Sequence, residues 1–392
     1  MLFLAAWQGQ EGIVLLLGLA VSAAALARLW SRVALGGVRA RRTLRESRLF
    51  PGESTDVTLE VFNRKALPLP WVRVDDEIPE RLAGNLSPEP DCPSAGRIIS
   101  RSGSILWYRK ASWKYSLEAG KRGYYRLAPL TVTSGDIFGF YPRRASFPSA
   151  DSVLVYPRIF PVEEVEVASL HPMGEARTRR RIFQDPTRAV GLRDYRPQDS
   201  LKHIHWKASA RRQDLQVKVF EPTTTLKVSV FLAADGFPPE GSAAGEEFEL
   251  AVSAAASVAR HLIGRGTLVG LISNGLLADS GEAVQVPAGG SEDQLMEILE
   301  GLAKVTPRLK QPAEAFWQAE RQSLPSGTTL ILIASRVPDS FRGLLRDWKE
   351  NGSPLLLLLT GDCRDDGGDG DLPVCSIRHP GSLLKIHPGG PG

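Results

Sequence analysis

Residues 191–221 read GLRDYRPQDSLKHIHWKASARRQDLQVKVFE. This stretch, called the signature segment below, combines arginines, lysines, two histidines and a tryptophan with acidic residues, and it ends in an alternating apolar run typical of a strand. It contains none of the usual catalytic or nucleotide-binding spacings. The hydrophobic pattern is strand-like before it and alternates between strands and helices after it. We therefore assign it to an interdomain segment over residues 162–225.

The sequence after the signature segment predicts a doubly wound α/β domain over residues 226–361. Continuous apolar runs typical of buried strands alternate there with helical patterns. The predicted strands are 226–233, 267–272, 329–333 and 354–360, and the predicted helices are 246–263, 292–302 and 341–349. This alternation indicates a parallel sheet with helices on both faces. Residues 362–392 are rich in Gly, Asp and Pro and are predicted to form a flexible C-terminal tail.

The sequence before the signature segment predicts a β-sandwich-like domain over residues 45–161. Val57, Leu59 and Val61 alternate with other residues at the period of a half-buried strand. Residues 50–53 and 120–123 have the composition of turns between strands. Such a domain is commonly used for interaction, and the sequence shows no catalytic constellation in it.

The N-terminal region, residues 1–44, is predicted to be a membrane anchor with a basic juxtamembrane segment. Residues 12–30 read GIVLLLGLAVSAAALARLW, an apolar stretch close to the length of about 20 residues that a spanning helix needs. The arginines that end or follow it are Arg28, Arg32, Arg39, Arg41, Arg42, Arg45 and Arg48. The positive-inside rule then predicts a single-pass protein of the cell membrane with its bulk in the cytoplasm, and this arginine cluster makes anionic lipid an expected partner. The alternative is a secretory signal peptide, against which the missing basic n-region argues.

Charge and cysteine content limit the function classes further. Residues 226–392 carry 14 Lys and Arg against 21 Asp and Glu, a net charge of −7, which leaves +11 for residues 1–225. The basic first half suits a membrane surface or an acidic partner. Nucleic acid is not expected as a partner, because the basic run at 177–181 has no aromatic stacking platform or recognition helix around it. The three cysteines form no C-x-x-C pair and suit a reducing compartment.

The signature segment resembles that of a known family. Arg193-x-Tyr195-x-x-x-Asp199, the run Ile-His-Trp-Lys-x-Ser-Ala-Arg at 204–211 and Leu-x-Val-Lys-x-Phe-Glu at 215–221 are similar to the signature of domain of unknown function 58. Phe-Pro-Gly-Glu at 50–53 and the segment from Arg-Gly-Tyr-Tyr to Gly-Asp-Ile-Phe-Gly at 122–139 fit the same family. The resemblance implies a bacterial membrane-anchored protein with a C-terminal von Willebrand A-like domain. It also implies a MoxR-type AAA+ ATPase as partner, in the assembly or maturation of protein complexes.

We expect the signature residues to act in binding or structure. They are Arg193, Tyr195, Asp199, His205, Trp206, Lys207, Arg211 and Lys218. In the favoured interpretation Asp199 and Ser200 cap a short helix over 201–210, and Trp206 anchors it on the adjoining sheet. The acidic residues expected to pair with the basic ones are Asp194, Asp199, Asp214 and Glu221. In the other interpretation the basic residues form an exposed docking surface for a protein or an anion.

Three chemical sites remain as alternatives. An enzyme of unknown reaction would use His205 as general base and Asp199 as its orienting carboxylate, but no nucleophile is indicated. His203 and His205 could share a metal if they lay in a strand, but no third ligand follows at a usual spacing. Asp235 stands where a von Willebrand A domain has its first metal-binding aspartate, but Phe237 and Pro239 replace the two serines. The sequence therefore predicts a non-enzymatic protein with no cofactor and a degenerate metal site.

Overall fold

The computed structural model describes residues 11–82, 96–165, 184–195, 204–222, 226–237, 245–325, 327–360 and 372–386. The chain divides into two compact units, which we describe separately. The first comprises Met1–Arg158 and Leu302–Lys304, and the second comprises Ile159–Gly301 and Val305–Gly392. The prediction of an N-terminal apolar helix followed by a body rich in β-strand is confirmed.

Helix α1 spans Glu11–Ala34 and begins the described part of the first unit. Its segment Val14–Ala34, of 21 residues with a mean hydropathy of 1.8, is long and apolar enough to cross a membrane. The last carbonyls of a helix have no partner within it. Lys65 supplies one here, because its Nζ donates to the carbonyl oxygens of Val33 and Gly36, both at 2.8 Å, and to that of Ala34.

Ten strands follow in the described part of the first unit. They are β1 Val38–Leu44, β2 Arg48–Leu49, β3 Ser54–Asn63, β4 Leu69–Pro79, β5 Gly96–Ile105, β6 Lys110–Glu118, β7 Gly123–Arg126, β8 Leu130–Ser134, β9 Arg143–Phe147 and β10 Ser152–Val155. A short 3-10 turn, Glu80–Leu82, follows β4. The strands form three sheets in the orders β1-β3-β6, β2-β10-β7 and β5-β4-β8-β9.

One hydrophobic core joins these three sheets. Alternate residues of β3, Val57, Leu59 and Val61, point into it, as the sequence period predicts. Val72 and Val74 of β4 face the same core. The strands expected from the sequence therefore form three small sheets around a shared core.

The strand register brings three loops to one end of the first unit. In one sheet, Val38 of β1 pairs with Asn63 of β3, and Phe62 pairs with Lys110 of β6. In another, the start of β4 pairs with the ends of β5 and β8, and the end of β8 pairs with the start of β9. The loops 64–68, 106–109 and 135–142 therefore lie at the end where α1 enters β1, which we call the α1 end.

The described residues of the second unit form eleven strands and five helices. The strands are β11 Glu164–Val165, β12 Gln184–Asp194, β13 Gln216–Pro222, β14 Lys227–Leu232, β15 Leu268–Leu277, β16 Ala283–Gly289, β17 Val305–Leu309, β18 Thr329–Ala334, β19 Leu355–Thr360, β20 Val374–Ile377 and β21 Lys385–Ile386. The helices are α2 Trp206–Arg212, α3 Gly245–Gly264, α4 Glu292–Lys304, α5 Ala313–Glu320 and α6 Asp339–Glu350.

The largest sheet has the order β16-β15-β14-β18-β19-β20. Neighbours from β15 to β20 are parallel, whereas β16 and β17 pair with β15 in the antiparallel direction. The runs of β18 and β19 are buried along their whole length because parallel strands are covered on both faces. Phe231 of β14 stacks on Trp317 of α5, with ring centroids 5.8 Å apart, and packs edge-on against Phe341 of α6.

The prediction that the chain is a flexible tail after residue 361 is wrong for residues 372–386. Strand β20 extends the sheet by pairing with β19, and β21 pairs with β11. Cys375, Ile377 and Ile386 are buried as a result. Pairing with a distant strand gives these short apolar segments a structure that their Gly- and Asp-rich surroundings do not suggest. The aspartate-rich part of the tail, 362–371, lies outside the described residues.

Candidate functional site

The signature segment begins and ends in an antiparallel pair of strands, β12 and β13. Arg193 is placed opposite Val217 and Lys218 opposite Leu192. The N–H of Tyr195, just after β12, donates to the carbonyl oxygen of Leu215 at 2.8 Å. The two strands thus hold the ends of the segment together, and helix α2 lies between them in the sequence.

Helix α2 begins later than the sequence predicts. Ile204 forms a bridge with Val217, so the chain is still extended at 204, and the helix covers Trp206–Arg212 rather than 201–210. Its N-cap is His205, whose Nδ1 accepts the N–H of Ala208 at 3.1 Å. The proposed caps, Asp199 and Ser200, lie outside the described residues, as does His203, but they precede Ile204 and cannot cap this helix.

The inner side of α2 is fixed to β13 by polar contacts. The N–H of His205 donates to the carbonyl oxygen of Gln216 at 2.8 Å. The hydroxyl of Ser209 accepts the N–H of Gln216 at 2.8 Å and donates to the carbonyl oxygen of His205 at 3.1 Å. The amide nitrogen Nε2 of Gln216 donates to Oδ1 of Asp194 at 2.6 Å. These hydrogen bonds give α2 a defined position on the strand pair.

The outer side of α2 carries an exposed tryptophan and two exposed basic residues. Trp206 is 67% exposed, so the prediction that it anchors the helix on the sheet is wrong. The inward positions are taken instead by Ile204 and Ser209, which are buried. Lys207 and Arg211 are exposed and four residues apart, hence on the same side of the helix. We call Trp206, Lys207 and Arg211 the α2 surface.

Several side chains of the ion-pair network predicted within the signature segment lie outside the described residues, and only its members Asp194, Lys207, Arg211 and Asp214 can be placed. Among the described residues, no ion pair joins Lys207 or Arg211 to Asp214, which is itself exposed. Asp194 accepts a hydrogen bond from the neutral side chain of Gln216. The α2 surface is therefore exposed, as the interpretation of a docking surface requires.

The contacts of His205 do not favour the enzyme alternative. A histidine base is usually oriented by donating Nδ1–H to a carboxylate or carbonyl, which leaves Nε2 to take the proton. Here Nδ1 accepts the backbone N–H of Ala208 and so carries no proton. The imidazole ring therefore caps the helix through the lone pair of Nδ1, which is a structural role.

Asp235 lies at the carboxyl end of β14, where ligand sites of open α/β sheets occur. Its Oδ2 accepts hydrogen bonds from Nδ2 of Asn274 at 2.6 Å and from the N–H of Ala313, the first residue of α5, at 3.1 Å. Oδ1 of Asn274 accepts the N–H of Ala234 at 2.9 Å. Asn274 is buried near the end of β15, and no sequence motif marks it. Asp235 therefore links β14 to β15 and to the start of α5.

These residues do not fit a hard divalent cation. Such an ion requires several oxygen ligands, and one oxygen of Asp235 is already used by two N–H donors. Phe237, at the position of the first family serine, is buried. Within the described residues no three His, Cys, Asp or Glu side chains are grouped closely enough to hold a metal ion.

A buried charge cluster in the first unit was also missed by the sequence analysis. Arg42 of β1 donates through Nε to Oδ2 of Asp76 at 3.0 Å and through a terminal nitrogen to Oδ1. Tyr115 of β6 donates its hydroxyl to Oδ2 of Asp76 at 2.7 Å. Burial, followed by the negative charge of Asp76, raises the pKa of Tyr115. Arg42 belongs to the arginine cluster for which anionic lipid is the expected partner, but its side chain is fully buried and takes part in this charge cluster instead.

Comparisons with known proteins support the resemblance derived from the signature segment. Residues 191–325 match the family described as Protein of unknown function DUF58. The "Uncharacterized protein YeaD" of Bacillus subtilis (strain 168) is 28% identical over 243 residues. The alignment covers 62% of this chain and 57% of that relative, so the chain spans little more than half the length of the curated relative it matches.

Two solved structures resemble parts of the chain. Escherichia coli alpha-2-macroglobulin, from domain MG7 to the C-terminus, aligns with a TM-score of 0.22 and 15% identity, over 31% of this chain and 24% of that one. The CARDB domain of a Pyrococcus furiosus protein aligns with a TM-score of 0.20 and 11% identity, over 30% of this chain and 91% of that domain. Similarity at this level carries no argument about function.

Proposed function

We propose that the protein is a non-enzymatic, membrane-anchored interaction protein. In this proposal α1 spans the cell membrane once and the bulk of the chain lies in the cytoplasm. The α2 surface binds a protein partner, for which the family resemblance implies a MoxR-type AAA+ ATPase. The protein then serves as a scaffold in the assembly or maturation of protein complexes.

The membrane part of the proposal is supported by α1 and the residues after it. The Val14–Ala34 segment has the length and hydropathy of a spanning helix, and most of it is exposed to the surroundings. Arginines follow it, and the residues before it contain no Lys or Arg. This asymmetry supports a cytoplasmic location for the rest of the chain.

The exposure of Trp206 is the observation that carries the binding part. Tryptophan and arginine are the residue types that contribute most often to hot spots of protein–protein interfaces. Here a tryptophan at 67% exposure lies on the same short helix as Lys207 and Arg211. The inner side of α2 is held by His205, Ser209 and Gln216. The helix that carries Trp206, Lys207 and Arg211 therefore does not need to become ordered when a partner binds, which lowers the entropy cost of association.

The von Willebrand A-like character of the second unit is part of the proposal. It is supported by the parallel order of β15, β14, β18, β19 and β20 and by the helices between them. The carboxyl edge at Asp235 would then have a structural use in place of a metal site, since its hydrogen bonds to Asn274 and Ala313 occupy it. This assigns ligand recognition to the α2 surface instead of that edge.

Capture of the candidate ATPase tests the proposal. The full-length protein is co-expressed with a MoxR-type ATPase of the same organism, solubilised in mild detergent and recovered through an affinity tag on the full-length chain. We expect the ATPase to be recovered with the wild-type chain and with Lys227→Ala, which removes an exposed lysine from β14. We expect Trp206→Ala and Lys207→Ala to reduce its recovery, Trp206→Ala the more strongly.

The alternative enzyme at His205 predicts a different outcome. His205→Ala would abolish a turnover and leave capture of the ATPase intact. Equal recovery with Trp206→Ala and with the wild type would overturn the proposed role of the α2 surface.

A further inference from the structure

A second exposed apolar surface lies in the first unit, at its α1 end. Beyond α1, eight large hydrophobic side chains of the described part of this unit are exposed. Seven of them lie in two loops of this end: Leu106, Trp107 and Tyr108 before β6, and Ile137, Phe138, Phe140 and Tyr141 before β9. We call residues 106–108 and 137–141 the interfacial loops. Such a concentration of exposed apolar side chains marks a binding surface.

The position of α1 relates these loops to the membrane. Ala27, Ser31 and Ala34 are buried and spaced four and three residues apart, so one stripe along the last turns of α1 packs on the first unit. The hydroxyl of Ser31 donates to the carbonyl oxygen of Tyr141 at 2.5 Å. The loop that contains Tyr141 therefore contacts α1 about one turn before the helix ends.

The length of the candidate span gives the depth of this contact. At about 1.5 Å per residue, the 21 residues of Val14–Ala34 extend about 31 Å, close to the hydrocarbon thickness of about 30 Å. A helix with no length to spare must place Ser31, one turn before its end, near the boundary of the hydrocarbon. The protein segment packed beside Ser31 then lies at the same depth.

The second loop is tied to the same end of α1. Lys65, whose Nζ donates to the last carbonyls of the helix, accepts the N–H of Tyr108 at its own carbonyl oxygen, at 3.2 Å. Leu106, Trp107 and Tyr108 are between 56% and 69% exposed. Both interfacial loops are thus linked by hydrogen bonds to the last two turns of α1 or to the residue that caps them.

The loop before β9 is held in a fixed shape. The buried carboxylate of Asp136 accepts the N–H groups of Phe138 at 3.0 Å, Phe140 at 3.3 Å and Tyr141 at 2.7 Å. Gly135 has no room for a side chain, since a Cβ there would lie 2.7 Å from the carbonyl oxygen of Tyr141. The polar groups of the loop therefore point inward, and its apolar side chains remain outside.

Exposed basic residues flank both loops. Arg109 follows the first, and Arg143 and Arg144 follow the second. Asp136, the acidic residue directly before the second loop, is buried, and its carboxylate accepts backbone N–H groups. Aromatic side chains next to arginines are typical of protein surfaces that contact the headgroup region of an anionic leaflet.

We infer that the α1 end of the first unit is a membrane-contacting surface, whose interfacial loops insert into the headgroup region of the bilayer that α1 crosses. The inference rests on the proposed membrane span. It adds that the first unit lies on the membrane through these loops rather than being tethered away from it by the helix.

Lipid-dependent fluorescence quenching tests this inference on the full-length protein. Phe138→Cys and Ile137→Cys, each labelled with an environment-sensitive fluorophore, are reconstituted in vesicles of phosphatidylcholine and phosphatidylglycerol. A fraction of the lipid carries a spin label near the headgroup or near the end of the acyl chain. We expect a blue-shifted emission at both positions and a loss of intensity that is larger with the label near the headgroup. The wild-type chain treated in parallel measures the contribution of the native cysteines.

Two matched positions separate this inference from the proposed span. Lys121→Cys lies in the exposed turn between β6 and β7, at the opposite end of the strands, and we expect no quenching there. Leu19→Cys lies on the exposed surface of α1 and should be quenched by the label near the acyl-chain end. Quenching at Leu19 without quenching at Phe138 and Ile137 would overturn the inference and leave the span intact. Absence of quenching at Leu19 as well would overturn both, and a blue shift at Phe138 without quenching would show that protein covers the loops instead of lipid.

Discussion

The buried charge cluster of the first unit and the α2 surface of the second use the same residue types in opposite ways. Arg42 and Tyr115 both donate to Asp76 inside the hydrophobic core, and the side chains of Arg42 and Asp76 are fully buried. Lys207 and Arg211 extend from α2 without an ion-pair partner among the described residues, next to an exposed tryptophan. A buried ion-pair cluster thus joins strands of the first unit, whereas Lys207 and Arg211 form no ion pair with another described residue.

The energetic consequence of the difference is large. A buried pair that loses one partner leaves an uncompensated charge in the core, which is much more costly than the loss of an exposed charge. The cluster should therefore determine folding and contribute nothing to partner binding. The α2 surface should do the reverse.

Arg42→Met should have the largest effect on stability. Removing the guanidinium leaves the carboxylate of Asp76 buried with only the hydroxyl of Tyr115, and we expect a loss of about 3–5 kcal/mol in the free energy of unfolding. Arg41→Met is the matched control, because Arg41 is the exposed neighbour on the same strand and should change stability by less than about 0.5 kcal/mol. Denaturant unfolding in detergent measures both. Similar losses for the two variants would contradict the importance of the cluster.

Asp136→Asn should have an intermediate effect on stability, and the size of this effect should depend on pH. Burial acts to raise the pKa of Asp136, but the N–H groups of Tyr141, Phe140 and Phe138 outweigh it, so the pKa is lowered. The ionised carboxylate then adds stability that is complete above the unfolded pKa of about 3.9 and is lost as the pH falls through the folded value.

At neutral pH we expect Asp136→Asn to cost about 1–2 kcal/mol, because hydrogen bonds to a charged acceptor are replaced by weaker ones. The difference from the wild type should shrink on acidification. Asp56→Asn, at an exposed position of β3, serves as the control and should show little change at either pH. A difference for Asp136→Asn that grows at low pH would contradict the assigned role of its carboxylate.

His205→Ala should have a smaller effect on stability, and this effect should be confined to helix α2. Loss of the cap on the N–H of Ala208 should cost about 1 kcal/mol, and His205→Asn, which retains a capping side chain, should recover most of it. Amide hydrogen exchange at Ala208 measures this locally. Unchanged exchange in His205→Ala would show that the cap contributes nothing.

Lys207→Ala and Arg211→Ala should have the smallest effect on stability. Each removes an exposed side chain with no ion pair among the described residues, so we expect changes within about 0.5 kcal/mol. A loss of 2 kcal/mol or more in either variant, about four times the expected limit, would restore the predicted ion-pair network. Thermal unfolding of the two variants beside the wild type decides between these outcomes.

Much of the second unit could be predicted from the sequence because its pattern is local. The helix expected over 246–263 is α3, Gly245–Gly264, and the strand expected over 354–360 is β19, Leu355–Thr360. Long apolar runs and helical periods report burial directly. Strand β20 was missed because its four residues gain their structure from pairing with β19, which no local pattern shows.

The sites were harder to predict, because distant contacts decide them. The start of α2 depends on the bridge between Ile204 and Val217, so the Asp-Ser pair at 199–200 was a misleading cap signal. The buried charge cluster did leave a signal in the alternation of its strands. Arg42 lies in phase with Val38, and Asp76 in phase with Val72 and Val74, which places both charges on the core side.

Trp206→Ala tests the central claim most directly, when stability and capture of the ATPase are measured on the same preparation. We predict a free energy of unfolding within about 0.5 kcal/mol of the wild type, because Trp206 is exposed, together with a loss of the captured ATPase. A loss of about 3 kcal/mol or more in stability, as expected for a buried tryptophan, with capture retained by the folded fraction would contradict the account. That result would return the signature segment to the structural role first expected of it.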